Sequence, residues 1–315
     1  MVRETFADLL GQETAVDLLC QAIAKQRVAP AYLFVGPSGV GRRLTAQRFA
    51  ECLLSPKTQP PGNLRQRLEA RNHPDLLWVE PTYLHKGKPV TAAETEALDL
   101  KRKSPPQIRL EQIRSIARFL SRPTLESNRA VVILEGAETM AEAPANGLLK
   151  TLEEPGNASL ILLAEDQANL LPTIISRCQT IPFRRLSPDH LATVLQRVGQ
   201  TEILQQAGIL AMAQGSPGQA IAAWQQLNAI PPELVAALSQ PPANLRAALD
   251  LARQVSKAIA PESQLWLVDY LQHVVWHERR SLAQLQTLEQ ARWHLRRFVQ
   301  PRLVWEVTLM NFVRQ

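Results

Sequence analysis

The residues that could do chemistry begin at Gly36. The stretch Gly36-Pro-Ser-Gly-Val-Gly-Arg-Arg43 has the glycine spacing of a phosphate-binding loop, G-x-x-x-x-G-K-[ST]. In that pattern the glycines free backbone N–H groups to point at phosphate oxygens, and the next helix adds its positive N-terminal end. Gly36, Gly39 and Gly41 keep this geometry. Arg42 stands where a lysine would bring a compact charge to the β- and γ-phosphates; a guanidinium is a longer, planar fork. Arg43 stands where a hydroxyl would ligate magnesium. It has no lone pair to give, and a cation there repels a metal by about 4 kcal/mol per pair of unit charges at roughly 4 Å, for an effective dielectric near 20.

A metal-binding acid belongs at the end of another strand. Val131-Val-Ile-Leu-Glu135-Gly136 is the candidate. Glu135 could reach magnesium through water. Gly136 stands where a carboxylate would polarise an attacking water, and glycine does no acid–base work. The expectation is a degenerate site at Gly36, Gly39, Gly41, Arg42, Arg43, Glu135 and Gly136, with neither ATP binding nor hydrolysis in this chain.

The elements that must position these residues are legible as alternating patterns. Val16, Leu19, Cys20 and Ile23 share one helical face, and Ala31–Val35 is a short apolar run entering the glycine loop. A helix over 44–54 follows the loop, so strand, loop and helix come in the order a phosphate loop requires. Leu76–Val79, Ala130–Leu134, Leu160–Leu163 and Thr180–Phe183 read as further strands. Helical stripes lie between them at Ile113–Leu120 and Ala145–Leu152, the second stopped by Pro155. Residues 55–71 and 86–106 are polar and read as a loop and an insertion. Gly147 inside a helical stripe has no explanation at this level. Strands alternating with helices predict a parallel sheet flanked by helices. After Arg185 the strand signals vanish. Ser187 and Asp189 can cap a helix, and Ile230-Pro-Pro232 and Gln240-Pro-Pro242 mark breaks in an otherwise helical remainder. The reading is an α/β P-loop-type domain over 1–185, a small helical lid domain over 186–238 and an all-α collar domain over 239–315.

Bulk properties set limits. The chain has 315 residues, 45% hydrophobic and 20% charged, with a formal charge of +6. That suits a globular protein of two or three domains and permits, without requiring, acidic or nucleic-acid partners. Cys20, Cys52 and Cys178 are scattered, which argues against a disulfide framework or zinc site and for a reducing cytoplasm. Neither a secretory signal pattern nor a bilayer-length apolar run is expected.

Several longer stretches then carry a family resemblance: AYLFVGPSGVG, the HPD at His73, VVILEGAETM, LLKTLEEPGNASLILLAED from Leu148 to Asp166, and LLPTIISRCQTIPF from Leu170 to Phe183. Together they resemble the bacterial clamp loader of the AAA+ class. The match covers almost all of the α/β domain and weakens toward the C-terminus. It implies a ring-like assembly in which ATP and magnesium lie between subunits, at neighbours of this chain. Ser176-Arg177-Cys178 matches the family's SRC motif, and Arg177 would be its arginine finger, reaching into a neighbour's site. Such fingers contribute roughly 10³–10⁵ in rate. The implied partners are the gamma or tau motor subunit, a delta subunit, and through the assembly the sliding clamp and primed DNA, within a DNA-directed DNA polymerase holoenzyme. The arginine that active relatives carry in the lid falls on Gly218, within Gly215-Ser-Pro-Gly-Gln-Ala220. The cysteines that many relatives carry before the HPD strand are missing between Ser55 and Asn72, so zinc is not expected. Two other readings stay open: an active motor ATPase with an unusual loop, and a stand-alone DNA-binding protein.

Smaller signals are weighed on the residues alone. His273 and His277 lie at i and i+4 on one face, but no third metal ligand is evident. Trp266, Trp276, Trp293 and Trp305 read as core or interface anchors rather than stacking platforms for bases. Glu153 and Glu154 are adjacent on a helix and do not face one another, which argues against an acid–base pair.

Overall fold

The computed structural model describes residues 2–55, 63–97 and 105–314. The chain divides into two compact units, one ending at His190 and one beginning at Leu191.

The first unit is built on a five-stranded sheet. Its strands are β1 (Ala31–Val35), β2 (Leu76–Val79), β5 (Ala130–Leu134), β6 (Ala158–Ala164) and β7 (Gln179–Pro182), in the order β2-β5-β6-β1-β7. All pairings are parallel, with Ala31 opposite Leu160 and Tyr32 opposite Gln179. A separate antiparallel hairpin joins β3 (Tyr83–His85) to β4 (Lys88–Val90).

The helices are α1 (Glu13–Ala24), α2 (Arg42–Leu54), α3 (Leu64–Glu69), α4 (Ala92–Ala97), α5 (Leu110–Leu120), α6 (Glu142–Glu153) and α7 (Pro172–Ile175). Both faces of the sheet are covered, so its central strands are almost wholly apolar and every residue of β5 and β6 is buried, whereas the edge strand β7 buries only Ile181. Ala31, Leu33, Val132, Leu134, Leu160 and Leu162 form one face, packed with Ile113 and Ile116 of α5, Leu148 and Leu152 of α6 and Ile174 of α7. The alternate β1 residues point the other way. Tyr32 meets Phe49 of α2 edge-on at 5.0 Å, and Phe34 lies 5.3 Å from Phe183. Gly147 now has an explanation. A Cβ there would come within 3.2 Å of Leu110 Cδ1, so glycine lets α6 approach α5 closely.

Two polar stretches hold more structure than their composition predicts. Within 55–71, α3 forms on two apolar residues one turn apart, Leu64 and Leu68, both buried; residues 56–62 lie outside the described residues. The 86–106 stretch opens inside the β3–β4 hairpin, whose turn residues Lys86 and Gly87 both have positive φ (48° and 78°), as a two-residue hairpin loop requires. Residues 98–104 again lie outside the description.

Helix α8 (Pro188–Arg197) begins in the first unit, with Ser187 Oγ accepting from the His190 amide at 3.3 Å, and carries the chain into the second. No strand occurs among the described residues from there on. The second unit contains α9 (Ala207–Ala213), α10 (Pro217–Asn228), α11 (Pro232–Leu238), α12 (Leu245–Ala258), α13 (Pro261–Val274), α14 (Leu282–Arg296) and α15 (Pro301–Arg314). The two Pro-Pro breaks fall where α11 begins and where it gives way to α12. Leu251, Val255, Leu267, Leu271, Leu288, Trp305 and Leu309 lie in one core, where Trp305 is wholly buried and donates to Gln264 Oε1 at 2.8 Å. Trp276 and Trp293 are exposed.

Candidate functional site

Parallel strands deliver their following loops to one end of the sheet. The glycine loop after β1, Glu135 and Gly136 after β5, and Glu165 after β6 therefore meet there. They line a cleft of about 580 Å³ with Ser38, Gln47, Pro81 and Glu138. The backbone curve of a phosphate loop is present. Gly39 and Gly41 have φ of 74° and 107°, and α2 starts at Arg42 with its N-terminal end at the cleft. Gly36 packs so tightly that an added Cβ would lie 2.4 Å from the Phe183 carbonyl oxygen. Thr45, the nearest hydroxyl on α2, is buried and donates to the Gly41 carbonyl at 2.9 Å.

The side chains in the cleft are committed to one another. Arg42 is mostly buried, 3.9 Å from Glu165. Burial lowers its proton affinity, and the carboxylates of Glu165, Glu138 and Glu135 act in the opposite sense. Arg43 Nε lies 3.2 Å from Glu135 Oε1, and the same oxygen accepts from Trp78 Nε1 at 2.7 Å. The Trp78 ring carries the guanidinium of Arg43 at 5.1 Å and that of Arg71 at 5.0 Å. Gly136 has φ of 60°, and a Cβ there would lie 2.7 Å from Pro81 Cγ.

Tested against Mg·ATP, these residues do not fit. The amide cradle is kept. The lysine, the metal-binding hydroxyl and the second carboxylate are gone, and the remaining carboxylate is held by an arginine and a tryptophan. Glu135, Glu138 and Glu165 would also surround a triphosphate with like charge.

Arg177 is elsewhere. It precedes β7, and Glu153 at the end of α6 precedes β6, so both lie at the strand N-termini, the opposite end of the sheet from the cleft. Arg177 donates to Glu153 Oε1 from Nε (3.0 Å) and Nη2 (2.6 Å), and from Nη1 to the Thr173 carbonyl (3.0 Å). The pair is substantially exposed. Ser176 Oγ donates to the Thr173 carbonyl at 3.1 Å, and Cys178 packs against the sheet core. Burial pushes the Cys178 thiol up to about 12. The structure thus joins the LLKTLEEP and SRC segments through one ion pair and keeps both apart from the glycine loop.

Sequence reasoning missed Gln12. Its buried amide donates to the Val40 carbonyl (3.1 Å) and the Arg184 carbonyl (2.7 Å), and accepts from the Arg184 amide (3.2 Å). It ties the glycine loop to the end of β7. Nothing about an isolated Gln-Glu-Thr announces this. The HPD residues also gain a role. Asp75 accepts from the amides of Leu125, Glu126 and Ser127 at 2.7–2.9 Å, and His73 Nδ1 accepts from the Asp75 amide at 3.2 Å. His73 and Asp75 thus pin the 125–127 loop. His273 and His277 pack with ring centroids 4.2 Å apart, and among the described residues no group of three or more His, Cys, Asp or Glu could hold a metal. No helix among them is long and apolar enough to cross a membrane.

A five-stranded parallel sheet with a glycine loop between β1 and α2, followed by helices only, is the architecture of an AAA+ P-loop protein. Residues 11–187 match the family model described as DNA polymerase III, delta subunit, and residues 189–312 match that of the cyanobacterial DNA polymerase III delta prime, C-terminal domain. The chain belongs to the DNA polymerase III delta-prime family of clamp-loader AAA+ proteins. It is 35% identical to DNA polymerase III subunit delta' of Bacillus subtilis over 182 residues, covering 56% of this chain and 49% of that one. It is 34% identical to the Pseudomonas aeruginosa delta' over 199 residues, covering 60% and 54%. The chain thus spans about half the length of these curated relatives. Among solved structures, a gamma subunit-related protein from Thermotoga maritima superposes with a TM-score of 0.56 at 17% identity, over 96% of this chain and 99% of that one, which shows the shared fold.

Proposed function

We propose that this chain is a non-hydrolysing, delta-prime-like subunit of a bacterial clamp loader, which helps place the sliding clamp on primed DNA and supplies Arg177 to ATP held by a neighbouring gamma or tau subunit. One observation carries the reading: Arg177 stands at the far end of the sheet from the chain's own cleft. A strand advances roughly 3.3 Å per residue, so the side chain cannot turn back to that cleft across the length of β1. A guanidinium with no phosphate site of its own within reach is arranged to serve another subunit. The chain's own cleft points the same way, since it keeps the loop curve and spends its charges internally.

In this reading residues 186–238 act as a lid and 239–315 as a collar against the gamma or tau and delta subunits. ATP and magnesium belong to the neighbours, and no zinc is required. The chain works as part of a DNA-directed DNA polymerase holoenzyme without a polymerase site of its own.

The test is R177A in an assembly reconstituted with motor subunits. ATP turnover should fall by at least 10³-fold at the site this chain completes, while the lone variant keeps its melting temperature. Unchanged turnover at that site rejects the role. The alternative, a gamma/tau-like ATPase with an unusual loop, requires the lone chain to bind and turn over Mg·ATP.

A further inference from the structure

Glu153 is the carboxylate that meets the Arg177 guanidinium. One oxygen, Oε1, takes both the Nε–H and an Nη2–H of the guanidinium, along its side edge. The Thr173 carbonyl takes an Nη1–H, and Ser176 Oγ lies 3.4 Å from the same nitrogen. The fork is thus held on one edge by a carboxylate and on one tip by a carbonyl of α7. Its remaining outward donor is on Nη2, since an Arg fork carries five N–H groups. An unbraced arginine samples many rotamers, and fixing them costs conformational entropy. A solvent-exposed pair of this kind adds little to fold stability, so its geometry has more to do with orientation than with holding the fold together. Glu154, next along the chain, lies past the end of α6 with φ of -129° and ψ of 66°, where the chain leaves the helix.

We propose that Glu153 is a positioning residue. It braces the Arg177 guanidinium so that it is presented, already ordered, to an anionic phosphate ligand held by a neighbouring subunit. This rests on the reading of Arg177 given above. The ion pair would persist in the assembly, with the Nη2 edge completing the contact to phosphate. A latch that hides the arginine until assembly would make the opposite prediction on removing the carboxylate.

The experiment compares E153A, E153Q, R177A and the double variant E153A/R177A in the reconstituted assembly, with the full-length chain alone as control. E153A should lower kcat at the completed site about tenfold, the scale on which misorientation acts, with KM for ATP unchanged. E153Q keeps an acceptor oxygen in the same place and should restore most of the rate. The double variant should be no slower than R177A, because the two residues act as a unit. In the lone chain, the Arg177 Nε–Hε resonance should be protected from solvent exchange in the parent and E153Q, and lose protection in E153A. A faster E153A, an E153A effect that adds to that of R177A, or E153A at full rate in an assembly where R177A is slow overturns the positioning role. R177A at full rate overturns the finger reading itself, and this inference with it.

Discussion

The Arg43 guanidinium and Trp78 indole converge on a single oxygen of Glu135, at 3.2 Å and 2.7 Å. The residue standing in place of the metal-binding hydroxyl has thus become a partner of the acid that would have helped hold the metal. Restoring the loop pattern with R42K and R43T releases that acid from the guanidinium but leaves it bonded to Trp78. It does not supply the carboxylate missing at Gly136, and it leaves Glu138 and Glu165 facing the cleft. The double variant alone should release no phosphate from Mg·ATP above background. Its melting temperature should shift by no more than a few degrees, since the Arg43–Glu135 pair is partly exposed. Steady phosphate release by the lone double variant contradicts this.

Gly136 is a structural choice as well as a chemical loss. At φ of 60° a side chain is strained by about 1–2 kcal/mol, and Pro81 Cγ stands 2.7 Å from where a Cβ would begin. Supplying the second carboxylate with G136E should therefore destabilise the first unit by about 2–4 kcal/mol, measured by urea unfolding, and still give no ATPase. A G136E chain as stable as the parent would show that Pro81 yields freely.

Acid should unfold the first unit in two stages set by the HPD residues. Burial holds the His73 imidazole below the ordinary histidine range, although Glu126 lies 3.7 Å away and opposes this. As pH falls through about 6.5 the unfolded chain takes up that proton first, so stability starts to drop there. Burial raises the Asp75 carboxyl, but the amides of Leu125, Glu126 and Ser127, with His73, outweigh it and hold the carboxyl below its usual range. Its contribution is complete above about pH 4 and disappears as pH falls below that. Melting temperature against pH should show both declines. D75N keeps an acceptor while removing the charge. It should cost about 1–3 kcal/mol at pH 7 and flatten the lower decline. A D75N profile parallel to the parent's would remove Asp75 from the account.

The parallel sheet was legible because both faces are buried. Its strands are unbroken apolar runs such as Ala130–Leu134, bounded by turn residues, with amphipathic helices between them. The cleft was legible for the same reason that its chemistry is missing, since loop glycines and absent side chains are properties of residue type. Pairings between distant residues were not. Glu153 reads as half of an acidic dipeptide until α6 and α7 are set side by side, and Gln12 reads as a polar residue before a helix until the end of β7 reaches it. Helix α3 was missed because two leucines in a polar stretch are too few to show a period. The β3–β4 turn was missed because its first residue is a lysine rather than the Asn or Asp that signals such turns.

The Ser176-Arg177-Cys178 motif should separate into a residue that acts and a residue that packs. Arg177 is partly exposed, with its guanidinium bonded to Glu153 and the Thr173 carbonyl. Cys178, next to it, lies against the core of the sheet, with its thiol pushed up to about 12. The reactive thiolate is therefore scarce at pH 8, so Cys178 should resist thiol reagents while the fold is intact. Cys52 is pushed up to about 11 by burial and should be nearly as inert. Native protein treated with a chromogenic disulfide reagent at pH 8 should therefore react slowly at both positions, and unfolding in guanidinium should expose all three cysteines. C178A removes buried volume and should lower stability by about 1 kcal/mol, leaving turnover of the assembled complex within twofold of the parent. R177A should do the reverse. If C178A slows the assembly as much as R177A does without loss of stability, the motif works as one catalytic unit, and the division drawn from burial is wrong.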